Sequence, residues 1–312
     1  MAPGVAGAAR QHPDFAVADG DRGAGRSRRV AGLVEPVVPP TDRSIKLDLI
    51  EKLEHSPQIL ILGDSRGRQA KPSYLQKLTG QSGFNAAVMG GTAPDAWVFT
   101  RYTADRFPGQ KRSYIWFVSS GLAGNIPDPR TEADQRGQHY LREVAPYLDN
   151  QPLKVDWPKH PFRGYRKDGS LPGTALPPSP AHAEQVKQDA AATVARIRQN
   201  PPAIPSYDPK RLQLFEHLLA YMNGRGERPV IVFNPLYPTV YAALEHYGNP
   251  VAAWSLDYLR RLRARYDFVV VDCENIHTWG GTTADWKNPG HVDQLNMRRM
   301  LRYIVAHSDG AL

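Results

Sequence analysis

Five short apolar runs constrain this chain more than any other feature: Gln58–Leu62 (QILIL), Phe84–Met89 (FNAAVM), Tyr114–Val118 (YIWFV), Val230–Phe233 (VIVF) and Phe268–Val271 (FVVV). They do not alternate apolar with polar residues, so a strand made from any of them hides both faces from water. Each is too short for a helix and rich in β-branched or aromatic side chains. Helical periodicity fits the stretches 66–79, 92–105, 209–223, 250–265 and 292–306. Fully buried strands separated by helices predict an α/β fold: a three-layer α/β/α sandwich around a sheet of about five parallel strands.

The chain has 312 residues, enough for one large domain with a proper core. Residues 1–42 are rich in Gly, Ala, Pro, Arg and Asp without periodicity, which predicts a disordered segment ahead of a domain spanning 43–312. Ile45, Leu49 and Leu53 fall at helical spacing, with Leu47 and Ile50 beside them. The stretch 126–208, between the third and fourth strands, is Pro-rich and carries helical patterns near 132–147 and 181–199. Its length predicts an insertion or lid over the site rather than a plain connection.

Net charge is +8. No nucleic-acid-binding module accompanies it, and the dense cluster Arg260, Arg261, Arg263 and Arg265 reads as the solvated face of a helix, so no nucleic-acid partner is expected. Cys273 is the single cysteine, which excludes a disulfide framework and a Cys-rich zinc site. No paired-His helix, calcium-loop or phosphate-loop pattern occurs, so neither metal nor cofactor is expected. No apolar run approaches the ~18 residues that span a bilayer. The N-terminal residues lack a signal-type apolar core, so the chain reads as soluble, with any anchor of an extracytoplasmic form lying upstream.

In an open parallel sheet, reactive groups gather at the carboxyl ends of the strands. Gly63-Asp64-Ser65-Arg66-Gly67 follows the first run and Gly90-Gly91-Thr92 the second. Ser119-Ser120-Gly121 and Gly124-Asn125 follow the third, Asn234-Pro-Leu-Tyr237-Pro the fourth, and Asn288-Pro-Gly-His291 lies beyond the fifth. A serine hydroxyl needs a nearby base to become a nucleophile. Ser65, in a tight strand-to-helix turn, is the candidate nucleophile. His291, in a Gly/Pro loop just before the final helix, is the candidate base, with His277 its rival.

These motifs carry a family resemblance. ILILGDSRG resembles the first block of the SGNH/GDSL hydrolases, FNAAVMGGTAPD the second, and NPGH followed by a helix the last, in matching order across residues 57–306. The nearest branch is similar to bacterial polysaccharide-associated esterases and O-acetyltransferases, in which a Lys-bearing helix precedes ILGDSR. The resemblance implies a flavodoxin-like SGNH fold with an acyl-serine intermediate on Ser65. It also implies an oxyanion hole from the N–H groups of Ser65 and Gly90 with the side-chain amide of Asn125, or else a donor from Ser119 or Ser120. The third block departs from the family pattern, reading SSGLAGN. So does the last, where Asn288 stands in place of the acidic triad member. Asn288 can orient His291; Asp285 or Asp293 can take over; His291 can act with a backbone carbonyl; or activity is lost.

Asp64 reads as structural support for the nucleophile loop. Arg66 and Arg68 are candidates to face an anionic substrate, and Asn234 and Tyr237 to line the pocket. Trp97, Trp116 and Trp254 read as core, whereas Tyr140, Tyr147, Trp157 and Tyr165 in the insertion are placed to meet a glycan. The partner implied is a small ester or O-acylated glycan. Three functions follow: a small-acyl esterase acting on carbohydrate, a polysaccharide O-acyltransferase using the same Ser-His pair, or an inactive SGNH-like binding protein.

Overall fold

The computed structural model describes residues 41–119, 133–148, 164–173, 178–204 and 209–312. Thr41 caps the first helix, α1 (Asp42–Glu51), by accepting from the Ser44 N–H. The chain then runs β1 (Ile59–Gly63), α2 (Pro72–Thr79), β2 (Gly83–Asn85), α3 (Ala93–Arg106), β3 (Ser113–Val118), α4 (Gln135–Glu143) and α5 (Pro180–Gln199). It continues through α6 (Pro209–Gly224), β4 (Pro229–Phe233), α7 (Pro238–His246), α8 (Pro250–Leu262) and β5 (Val269–Asp272). A short hairpin of β6 (Trp286–Asn288) and β7 (His291–Val292) leads into α9 (Gln294–Ala306).

The five long strands form one sheet in the order β2-β1-β3-β4-β5, parallel at every pairing. Successive residues of a strand point to opposite faces, and both faces are buried here. Leu60, Leu62, Tyr114, Trp116 and Phe233 face a core shared with α1, α3, α4, α6 and α8. Ile59, Ile61, Ile115, Phe117, Val232 and Val271 face a second core with α2, α5, α7 and α9. That is why the strand sequences cannot alternate: helices cover the sheet on both sides.

The order reverses direction at β1, which has β2 on one side and β3 on the other. A crevice opens at the carboxyl ends of the strands at such a switch point. Ser65, two residues past β1, stands there.

Several boundaries differ from those the sequence suggests. The helix expected over 66–79 is split: a 3-10 turn at Gly67–Gln69 precedes α2, because Pro72 holds Lys71 in an extended conformation. Ser65 therefore leads into a 3-10 turn, not an α-helix. The second strand ends at Asn85 rather than Met89, although Ala86 and Val88 still donate to Ile61 O and Gly63 O of β1. Helix α7 and the β6–β7 hairpin were not anticipated. The fully buried residues of α1 are Arg43, Lys46, Leu47 and Ile50, while Leu49 and Leu53 of the expected stripe are only partly buried against the core. Lys46 is wholly buried.

Of the expected insertion, the described parts hold α4, α5 and a turn at 166–170. That turn closes on itself through Arg166 N–H to Ser170 O (2.9 Å) and lies against the β2 edge through Asn85 N–H to Asp168 O (2.9 Å). The expected disorder of 1–42 falls almost wholly outside the described residues; Thr41 and Asp42 are ordered in α1 and its cap. Among the described residues no helix is long and apolar enough to cross a membrane.

Candidate active site

β1 ends at Gly63, whose φ of +126° favours glycine. A Cβ there would sit 2.2 Å from Phe117 O on β3. The loop after β2 is pressed onto the same point, since a Cβ on Gly91 would lie 2.1 Å from Gly63 O. Two glycines thus let the Asp64-Ser65-Arg66 turn and the Gly90-Gly91 turn meet.

The turn is held by polar groups. Asp64 Oδ1 accepts from the Arg66 N–H (2.9 Å), and the Asp64 carboxylate also pairs with the Arg66 guanidinium (Nη2 at 2.5 Å). Asp64 therefore supports the loop, and much of Arg66's charge is committed to it. Arg68 pairs with Asp42 (3.4 Å) and lies over the Tyr165 ring. Asn85, fully buried, donates from Nδ2 to Gly67 O (3.0 Å) and Ala70 O (2.7 Å) and accepts from the Ala87 N–H. Sequence reasoning read Asn85 only as part of a resembling block. Its role depends on three backbone groups that only the folded chain brings together.

His291 comes from the other end of the chain. Asn288 and His291 face one another across the β6–β7 hairpin. The hairpin is anchored by fully buried Trp286, whose ring meets Tyr237 edge-on at 5.3 Å and whose Nε1 donates to Thr282 O (3.0 Å).

Ser65 Oγ lies 2.8 Å from His291 Nε2, and His291 Nδ1 lies 2.9 Å from Asn288 Oδ1. The Gly290 N–H also points at that oxygen, at 3.0 Å. A backbone donor requires an acceptor opposite it, which fixes the orientation of the Asn288 amide. An acceptor facing Nδ1 places the ring proton there, leaving Nε2 to accept from the Ser65 hydroxyl.

The imidazole's pKa is pushed down to about 4, mainly by burial and then by Arg66, Lys287 and Arg68, against the opposing influence of Asp64. The ring is thus neutral near pH 7. A serine hydroxyl bonded to a neutral imidazole can lose its proton as it attacks a carbonyl.

The other acidic candidates lie elsewhere. Asp285 accepts from Thr282 Oγ1 (2.7 Å) and pairs with Arg299, not with His291. Asp293 caps α9, accepting from Leu295 and Asn296 N–H groups. His277 is exposed in the 3-10 turn Ile276–Trp279.

The N–H groups of Ser65 and Gly90 have no acceptor among the described residues, and Gly90 adopts φ +56°. Asn125 and Ser120 lie outside the described residues, while Ser119 follows β3 directly. Asn234 is buried at the β4 end, where its Nδ2 donates to Val118 O (2.8 Å) and its Oδ1 has no partner among the described residues. Tyr237 is buried behind Trp286 instead of lining an open pocket.

The insertion tyrosines differ from expectation too. Tyr140 is buried and donates to Asp105 (2.9 Å), Tyr147 packs on His217, and Tyr165 covers Lys46. Trp157 lies outside the described residues. Trp97 and Trp116 are buried, and Trp254 stacks on Tyr258.

A cavity of about 540 Å³ beside β5 is lined by Tyr241, Asp272, Tyr303 and His307, and by neither Ser65 nor His291. Among the described residues no group of three or more His, Cys, Asp or Glu side chains could hold a metal. A scan against protein-family models finds no match, and a search of curated proteins finds none either.

Proposed function

We propose that this chain is a serine esterase of SGNH/GDSL type, cleaving small acyl esters, with carbohydrate O-acyl groups as the substrate class. The observation that carries the reading is the hydrogen-bonded line Ser65 Oγ–His291 Nε2, His291 Nδ1–Asn288 Oδ1, at the sheet's switch point. Ser65 and His291, 226 residues apart in sequence, meet there with Asn288 behind the imidazole, in the order nucleophilic catalysis needs.

Ser65 attacks the ester carbonyl as His291 Nε2 takes its proton. The Ser65 and Gly90 N–H groups face the developing oxyanion. His291 then returns the proton to the leaving alcohol, and an acyl-serine remains. Water, or a sugar hydroxyl in a transferase, releases the acyl group by the same steps in reverse.

The test is p-nitrophenol release from p-nitrophenyl acetate by the wild type, Ser65→Ala and His291→Ala. Turnover by the wild type, with losses on the order of 10³-fold or more in both variants, is the expected result. A wild type no faster than Ser65→Ala would refute an esterase.

A further inference from the structure

Two strips run outward from the Ser65–His291 contact, one on the 65–74 segment and one on α9. Gln69 and Gln294 meet next to it, Gln294 Nε2 reaching Gln69 Oε1 at 2.8 Å and Gln69 O at 2.9 Å. One helical turn further on, Arg298 lies over the Tyr74 ring at 5.4 Å. Lys71, the extended residue just ahead of α2, is tied to Tyr74 through the Tyr74 N–H, which donates to Lys71 O (3.0 Å). Lys71 Nζ donates to Leu171 O, and the adjoining 166–170 turn carries Arg166.

Lys71, Arg166 and Arg298 thus converge on one patch. Arg166 and Arg298 lower the Lys71 pKa, after burial; Asp168 raises it. Among the described residues none of the three has a carboxylate within ion-pair distance, although ion pairs are common elsewhere on this surface. Asp168 spends one oxygen on the Ser170 N–H and hydroxyl. Three cations against the one carboxylate of Asp168 leave the patch with excess positive charge, which favours a ligand that supplies further negative charge.

We propose that Lys71, Arg166 and Arg298 form an anion subsite for a carboxylate-bearing sugar of the acylated substrate. Arg298 stands one turn along α9 from Gln294, at about 1.5 Å of rise per residue, so the subsite would meet a sugar beside the one that bears the scissile ester. This rests on the esterase reading, which it narrows from carbohydrate in general to acidic glycan. Arginine's planar fork matches a carboxylate in two-point contact.

The test compares O-acetylated tetragalacturonate with O-acetylated xylotetraose as substrates for the wild type and the double variant Arg166→Gln/Arg298→Gln. The wild type should favour the acidic ester. The double variant should lose about tenfold in kcat/KM on it through KM, stay within about twofold on the neutral ester, and match the wild type in about 0.5 M salt. Equal preference in the wild type, or equal loss on both esters, would overturn the subsite.

If neither ester is cleaved, the esterase reading fails separately, and calorimetry with deacetylated tetragalacturonate decides the subsite. Binding to the wild type that the double variant loses upholds it. No binding, or equal binding, refutes it. Binding of glucose 1-phosphate in place of tetragalacturonate would move the ligand to a phosphorylated sugar and overturn the carboxylate assignment.

Discussion

Asn288 meets His291 as a directly opposed pair across the β6–β7 hairpin, holding the imidazole through a neutral oxygen where a carboxylate would add charge. The amide fixes the tautomer, since its oxygen also accepts from Gly290. It gives the imidazolium no counter-charge, while burial and then Arg66 lower the ring's proton affinity.

Asn288→Asp should keep both hydrogen bonds, because a carboxylate oxygen accepts from the same two donors. The added negative charge should raise the His291 pKa by one unit or more, worth about 1.4 kcal/mol on the charged form. We predict a gain on the order of tenfold in kcat at pH 7. Asn288→Leu, which loses orientation, should cost on the order of 10²-fold or more. Steady-state rates on p-nitrophenyl acetate check both. A slower Asn288→Asp would mean that the neutral amide is required.

The depressed His291 pKa sets the pH profile. A base must be neutral, so kcat/KM should hold nearly constant down to about pH 5 and fall by half near pH 4, not near the ordinary histidine value of 6.5. In Asn288→Asp the midpoint should move upward. For stability, the folded state binds fewer protons on His291 than the unfolded chain between about pH 4 and 6.5. Stability therefore rises with pH across that window and is lost as pH falls through it. Urea midpoints for the wild type should decline more steeply between pH 6.5 and 4 than those of His291→Gln. Parallel declines would sink the assignment.

The sheet was legible because its strands are buried on both faces, and runs such as ILIL and VIVF admit little else. The ends of those strands pointed to Ser65, His291 and Asn288, which the fold brings within hydrogen-bond reach. The hairpin carrying Asn288 and His291 was not legible. Its three- and two-residue strands are too short to show a period, and their pairing depends on the burial of Trp286. Asp285 was an open candidate because spacing cannot say which way a carboxylate points, and Arg299 decides it. The face of α1 was misjudged because Lys46 counts as solvent-facing by type. Only the carbonyls of Asn85 and Gly169 and the ring of Tyr165 make its burial tolerable.

That lysine links three segments. Lys46 Nζ donates to Asn85 O (2.5 Å) and to Gly169 O, with the Tyr165 ring 4.1 Å away. Burial, then Arg68, hold its pKa well below the ordinary lysine value. Asn85 in turn holds the turn that follows Ser65. Lys46→Met fills the space but leaves two buried carbonyls unpaired. We predict a loss of about 2–4 kcal/mol in urea unfolding, and a lower kcat than in Lys52→Met, a substitution at the exposed C-cap of α1. Unchanged stability would show that the ammonium contributes nothing net.

The last prediction concerns the meeting of the two turns. Gly91→Ala would place a methyl 2.1 Å from Gly63 O, a backbone atom that cannot swing aside as a flexible side-chain end can. Either the Gly90–Gly91 loop lifts or the Ser65 turn is pushed away, and in both cases the spacing between the Ser65 and Gly90 N–H groups changes. Gly80→Ala is the control for a lost glycine: its φ is +76°, but a Cβ there meets nothing within 4 Å, so only backbone strain of about 1–2 kcal/mol is expected. Gly91→Ala should cost more than this in urea unfolding and should lower kcat by more than its stability loss accounts for at saturating folded protein. If Gly91→Ala is no worse than Gly80→Ala on both measures, the two turns are not in the contact on which the oxyanion assignment depends.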